Sequence, residues 1–179
     1  EGYFTDQIVP IEVKEGYKSK VATTDEHPRV DATLENLSKL KPAFSADGTV
    51  TAGNASSIND GAAAIVLATG DACKQYGLKP LAKVGPWSIK AVDPKLTGVA
   101  PVPAIKEVMQ TARLTLSDIG LIEINEAFAS YYLACEKELK LDRSRVNVNG
   151  SGISLGHPVG ATGSRIVVTL LHEMIRQRV

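Results

Sequence analysis

Short apolar runs alternate with polar, glycine- and proline-rich stretches along the chain. Residues 7–13, Gln-Ile-Val-Pro-Ile-Glu-Val, are β-branched and partly alternating, which predicts a strand placed at an edge or bulge by Pro10. Residues 14–31 are polar and read as a loop. Asp31 is the expected cap of a short helix carrying Leu34, Leu37 and Leu40, which Pro42 ends. Residues 62–68 form a continuous apolar run between turn-forming residues. Such a run fits a buried strand or a buried helix segment, and its length and Ile65-Val66-Leu67 favour the strand. A short helix over 70–77 ends at Gly77.

The pattern restarts around Lys79 and Pro80, where a seam divides the chain into 1–79 and 80–179. Strand-like text over 81–92 leads to a Pro/Gly-rich loop over 93–103. A helix then follows with Ile105, Val108, Met109 and Ala112 on one face. Residues 121–124 predict a strand that runs into Asn125 and a helix bearing Phe128, Tyr131, Tyr132, Cys135 and Leu139. Val146 and Val148 suggest another strand. A third helix carries Ile166, Val167, Leu170, Leu171 and Met174, with no glycine behind it at the end of the sequence. Strands alternating with helices predict an α/β fold with a largely buried sheet.

Composition narrows the function. Twenty basic residues balance 20 acidic ones across 179 residues, so no basic footprint for nucleic acid is present. The apolar runs are far too short to span a membrane. Cys73 and Cys135 match no zinc or redox spacing, and both read as structural; a reducing compartment fits. His27, His157 and His172 share no ligand spacing, so no metal site is expected. The sequence begins at Glu1 rather than Met and reads as an internal piece of a longer protein. A cytoplasmic location is the expectation, with an organellar matrix or peroxisome left open.

The richest stretch for chemistry runs from Asn147 to Gly163, with five glycines from Gly150 onward. Within it His157 stands between Gly156 and Pro158 before a helix. The positive end of a helix favours neutral imidazole, which can take a proton or donate to a carbonyl. A histidine simply held in a tight turn is the competing reading. Asn125, at a strand's carboxyl end, is either an amide for an oxyanion or water, or a helix cap. The loop Thr51-Ala-Gly-Asn-Ala-Ser56 offers amides and a hydroxyl, though a plain turn is the simpler account. Arg29 could pair with a phosphate. Neither the P-loop nor the dinucleotide fingerprint is met, and Gly-x-Ser-x-Gly is absent.

Taken in order, Gly53-Asn-Ala-Ser56 with Asn59-Asp-Gly-Ala-Ala-Ala64, Asn125-Glu-Ala-Phe-Ala129, and Gly156-His-Pro-Val-Gly160 with Thr162-Gly163 closely resemble the thiolases. Glu26-His-Pro-Arg29 and Lys41-Pro-Ala-Phe44 extend the resemblance over essentially the whole chain. It implies a layered α-β-α-β-α architecture only partly covered here: the end of the amino-terminal half (1–79) and most of the carboxyl-terminal half (80–179). It also implies acyl transfer between a cysteine thioester and coenzyme A or acetyl-CoA, with acyl-CoA as substrate and no covalently bound cofactor. His157 would be the acid–base and oxyanion group, and Asn125 the holder of a water in the same oxyanion hole. Phe128 would border the reaction pocket. Ser56, Ala52 and Gly53 would line the pantetheine arm, Phe44 its tunnel, and Arg29 the nucleotide end. The resemblance implies a homodimer or homotetramer at full length. Neither Cys73 nor Cys135 sits in a family cysteine motif, so the 179 residues alone are expected to be inactive. The alternative is a non-catalytic, CoA-binding or scaffold relative. Thr97-Gly-Val-Ala-Pro101 departs from the usual Met-Gly-x-Gly-Pro, which bears on acyl-chain preference.

Overall fold

The structure, a computed structural model, describes residues 2–179. It opens with a hairpin. Strand β1 (Ile11–Glu15) pairs antiparallel with β2 (Lys18–Ala22), Glu15 opposite Lys18. The strand predicted over 7–13 therefore starts later, after Pro10, whose missing amide cannot join a ladder. Its partner lies inside the expected loop over 14–31. Gly16 (φ 63°) makes the two-residue turn possible. Helix α1 (Leu34–Ser38) is capped not by Asp31 but by Thr33, whose Oγ1 accepts from the Asn36 amide at 3.1 Å. Helix α2 (Gly70–Tyr76) ends at Gly77 in the left-handed region, as its sequence predicts.

Two expected strands do not form. Residues 62–68 and 81–92 carry no regular structure, and Val66, Leu67, Trp87 and Ile89 are exposed. A strand is held by its neighbours' hydrogen bonds, and no neighbouring strand pairs with either segment among the described residues. The expected loop over 93–103 is instead largely helical: a 3₁₀ segment over Pro94–Val99 runs into α3 (Pro101–Ala112). Proline suits this start because the amides of a helix's first turn have no intrahelical acceptor anyway.

Helix α4 (Ala129–Leu139) packs against α3 and the 3₁₀ segment. Val102, Cys135 and Leu139 are buried between them, flanked by Val99, Ile105, Leu116 and Leu141. The strands expected at 121–124 and near Val146 reduce to one parallel bridge, Ile122 to Val146. Asn147 (φ 48°) extends that pairing with its side chain: Oδ1 accepts from the Ile124 amide at 2.8 Å and Nδ2 donates to the Ile124 carbonyl at 2.9 Å. A single turn, α5 (Gly152–Leu155), precedes α6 (Thr162–Gln177). The most buried positions of α6 are polar, Thr162, Thr169 and Glu173, while Val167 of its expected apolar face is exposed. Glu173 is matched by Asn149 (2.7 Å) and Arg176, so burial does not leave it unpaired. Arg178, in the left-handed region, ends α6 where a glycine would be usual.

Candidate active site

Two loops distant in sequence meet beside the start of α4. The Ser56 amide donates to the Ala127 carbonyl and the Ala129 amide to the Asn54 carbonyl, both at 2.9 Å. Ala55 and Phe128 thereby form an antiparallel bridge. The 51–56 loop is stiffened from within: Asn54 Oδ1 accepts from the Thr51 amide (2.8 Å) and Asn54 Nδ2 donates to the Thr49 carbonyl (2.9 Å). At Gly53 a Cβ would lie 2.5 Å from Leu37 Cδ2 and 2.8 Å from Leu40 Cδ1, so the ends of those two leucines pack directly on the loop backbone.

Asn125 does not cap α4, as one sequence reading allows. Phe128 occupies the cap position and makes no side-chain cap bond. Asn125 is free for another contact, and its Nδ2 lies 3.3 Å from His157 Nε2. The other ring nitrogen, Nδ1, lies 2.8 Å from Thr162 Oγ1. Thr162 gives its one hydroxyl hydrogen to the Pro158 carbonyl (2.9 Å), the usual back-bond of a helical threonine, so Nδ1 must carry the hydrogen it shares with Thr162. That leaves Nε2 with its lone pair toward the Asn125 amide. An imidazole in this tautomer can take a proton at Nε2, and after taking it can donate to an oxyanion. The Asn125 Oδ1 atom is buried without a partner, and Gly152 makes room for it: a Cβ there would come within 2.8 Å of Oδ1 and 2.9 Å of the Glu126 carbonyl.

The remaining predicted residues fall into two groups. Phe128 stacks edge-on against Phe44 (centroids 6.0 Å apart) and Tyr131 (5.0 Å), so Phe44, Phe128 and the 51–56 loop form one continuous surface. Tyr131 in turn packs over Gly98 of the 97–101 loop, where a Cβ would meet its ring at 2.5 Å. Arg29 is exposed, with no hydrogen bond or ion pair to its guanidinium among the described residues, and is not drawn into this cluster. Cys135 is buried and its thiol donates to the Gly98 carbonyl at 3.3 Å; burial pushes that thiol up, away from thiolate character. Cys73 is half-buried on α2.

Thr162, Asn59 and Asn147 escape a motif-by-motif reading. Thr162 is five residues beyond His157, at the helix start, and that position is the local signal for it. Two residues before Asn125 stands a further acidic residue, Glu123. Burial pushes Glu123 up to about 7, with nearby Arg165 opposing and Glu126 and Glu173 adding to the rise.

Set beside known proteins, the chain matches the thiolase N-terminal domain over residues 1–71 and the thiolase C-terminal domain over 78–179. The chain belongs to the thiolase family, and its fold is the thiolase-like α/β architecture, partly covered. It is 52% identical over 173 residues to the acetyl-CoA acetyltransferase of Escherichia coli K12, covering 97% of this chain and 44% of that protein. The crystal structure of the Bacillus anthracis acetyl-CoA acetyltransferase superposes with a TM-score of 0.97 at 56% identity, over 99% of this chain and 45% of that one. Human mitochondrial 3-ketoacyl-CoA thiolase in complex with CoA gives a TM-score of 0.88 at 45% identity, over 98% and 43%. The chain thus spans less than half the length of these relatives.

Proposed function

We propose that these residues form part of an acyltransferase that moves an acyl group between a cysteine thioester and CoA or acetyl-CoA. The observation that carries the reading is the pairing of Asn125 Nδ2 with His157 Nε2, with Nδ1 committed to Thr162. In thiolysis, Nε2 takes the proton of the attacking thiol, the thiolate adds to the 3-keto carbon, and the C2–C3 bond breaks to leave the enolate of acetyl-CoA. The resulting imidazolium donates to the thioester oxygen as negative charge gathers there, and Asn125 serves the same oxygen through a water. In the reverse direction the same donors hold the enolate of acetyl-CoA. Phe128 and Phe44 border the acyl and pantetheine path, Ser56, Ala52 and Gly53 line it, and Arg29 reaches the nucleotide end. The substrate is acyl-CoA, and the seam near residue 80 separates the two halves of the fold.

Neither cysteine serves as nucleophile here. Cys135 is buried against a carbonyl, and Cys73 lies on α2, none of whose hydrogen bonds among the described residues reaches His157. The attacking thiol would come from outside these 179 residues, and the chain alone would turn over no substrate. The exposed apolar residues Val66, Leu67, Trp87 and Ile89 fit surfaces that the remainder of a thiolase, or a second subunit of a homodimer or homotetramer, would cover. The placement of the cysteines also gives substance to a second reading, a CoA-binding protein without catalysis.

In the intact protein, His157→Ala should lower kcat for thiolysis of acetoacetyl-CoA by about 100-fold or more. Asn125→Ala should lower the rate with little change in melting temperature. Full activity of His157→Ala would overturn the proposal. CoA binding by the intact wild-type protein with no thiolysis would establish the second reading.

A further inference from the structure

The acyl-transfer reading assigns no role to Asn59, yet this side chain holds the peptide of the residue on which that reading rests. Asn59 Oδ1 accepts from the His157 backbone amide at 3.0 Å, across 98 positions of sequence. Pro158 has no amide, and Val159 and Gly160 beyond it are exposed. The His157 amide is therefore the point at which this loop is fastened from outside. Ile58 and His157 also form a parallel bridge, which sets the two segments in register.

The two loops interlock through their glycines. At Gly156 (φ 98°) a Cβ would lie 2.6 Å from Asn59 Oδ1 and 2.8 Å from its Cγ. At Gly61 a Cβ would lie 2.8 Å from Pro158 Cγ. Each loop thus supplies the bare backbone against which the other loop's side chain sits. Asn59 is in turn braced from behind. Ser57 Oγ donates to Asn59 Oδ1 at 2.5 Å; His27, whose Nε2 donates to the Ile153 carbonyl of α5 at 3.1 Å, places its bare Nδ1 2.9 Å from the same hydroxyl and competes for its single hydrogen.

We propose that Asn59 is a positioning residue for His157: its amide oxygen fixes the His157 peptide while Thr162 fixes the ring, and the Ser57 hydroxyl holds Asn59 in place. Together the two attachments determine where Nε2 points. A ring held by Thr162 alone can swing with its backbone, and displacements of about 1 Å at a reacting group can cost up to about 100-fold in rate. Asn59 acts through His157 and touches no reacting atom. The inference rests on the acyl-transfer reading, and its test separates the two.

The experiment is a double-mutant cycle on thiolysis in the intact protein, with Asn59→Ala, His157→Ala and the pair. Asn59→Ala is expected to lower kcat roughly 10- to 50-fold while KM for acetoacetyl-CoA changes less than about threefold. Asn59→Asp keeps an acceptor oxygen for the His157 amide and should recover kcat to within about fivefold of wild type. In the His157→Ala background, Asn59→Ala should change kcat by less than about twofold, because the group it positions is gone. An equal loss in both backgrounds, or a rise in KM with kcat intact, overturns the inference while leaving the function standing. Wild-type activity of His157→Ala overturns both. Should Asn59→Ala not fold, Ser57→Ala is run through the same cycle: a loss of a few-fold that vanishes with His157→Ala supports the brace, and a loss that persists overturns it.

Discussion

Thr162 offers the sharpest test of how the site is tuned. Its side chain is 4% exposed, and its hydroxyl both accepts from His157 Nδ1 and donates to the Pro158 carbonyl. Replacing it with valine keeps the shape and removes the oxygen. The Pro158 carbonyl keeps two other donors, the amides of Ala161 (2.7 Å) and Thr162 (2.8 Å), so it is not left bare. The loss falls on Nδ1–H. A neutral hydrogen bond contributes about 1 kcal/mol net, and a buried donor left unmatched costs about 1–3 kcal/mol. The imidazole lessens that cost by moving its hydrogen to Nε2, with the Asn125 amide turned so that its oxygen accepts from the ring, and that form cannot take a proton at Nε2. The population able to act as base should fall roughly 5- to 30-fold, and kcat with it. Global stability should drop by about 1–2 kcal/mol. The assays are steady-state thiolysis and urea unfolding of the intact protein, together with ¹⁵N shifts of the His157 ring to read which nitrogen is protonated. Thr162→Ser, which restores the hydroxyl, should recover both rate and tautomer. If Thr162→Val has wild-type kcat with Nδ1 still protonated, or if serine is as poor as valine, the tautomer argument is wrong and Thr162 serves only to start α6.

Gly152→Ala should destabilise the protein by about 1–3 kcal/mol and lower kcat, because the new Cβ meets the Asn125 amide oxygen and the Glu126 backbone. Gly120→Ala, whose nearest atoms are 3.8 and 3.9 Å away on Val179, is the control and should stay within about 1 kcal/mol of wild type by urea unfolding. Glu123 titrates near 7 in the folded protein against 4.5 for the ordinary group. Folding therefore binds a proton here between those values, and stability falls as pH rises from about 4.5 to 7, the full penalty standing above pH 7. The shift corresponds to about 3 kcal/mol, which partial solvent access around the carboxyl reduces to about 1–2 kcal/mol. Glu123→Gln should remove that slope, with Arg165, Glu126 and Glu173 unchanged around it. Parallel stability-against-pH curves for the two proteins would refute the assignment.

How much of this was legible in the sequence depends on the range of the interaction. Gly77 behind α2 and the helix over residues 129–139 follow from local chemistry and were readable. Thr33 displaced Asp31 as a cap by two residues, a local competition that spacing alone does not decide. The apolar runs over 62–68 and 81–92 predict strands, but a ladder needs partners, and the sequence pattern of a strand is silent on whether they are present. In the site, the motifs point to His157 and Asn125 directly, whereas they carry no sign of the roles of Thr162 and Asn59, although both lie inside them. Their roles are set by what they touch: a ring nitrogen five residues back, and an amide 98 residues away. The glycines carry a trace of those contacts. Gly152 is bare where Asn125 lies, Gly156 where Asn59 lies, Gly61 where Pro158 lies, and Gly53 where Leu37 and Leu40 lie. Among these, Gly156 alone has a positive φ, so the absence of Cβ at the other three is explained by proximity rather than by backbone conformation. At Gly61 and Gly152, a glycine that needs no unusual backbone angle marks the place where a side chain from another motif arrives, whereas Gly160 and Gly163 have no such neighbour. The contacts at Gly61 and Gly156 join the Asn59-Asp-Gly61 loop to the Gly156-His-Pro158 loop from both directions.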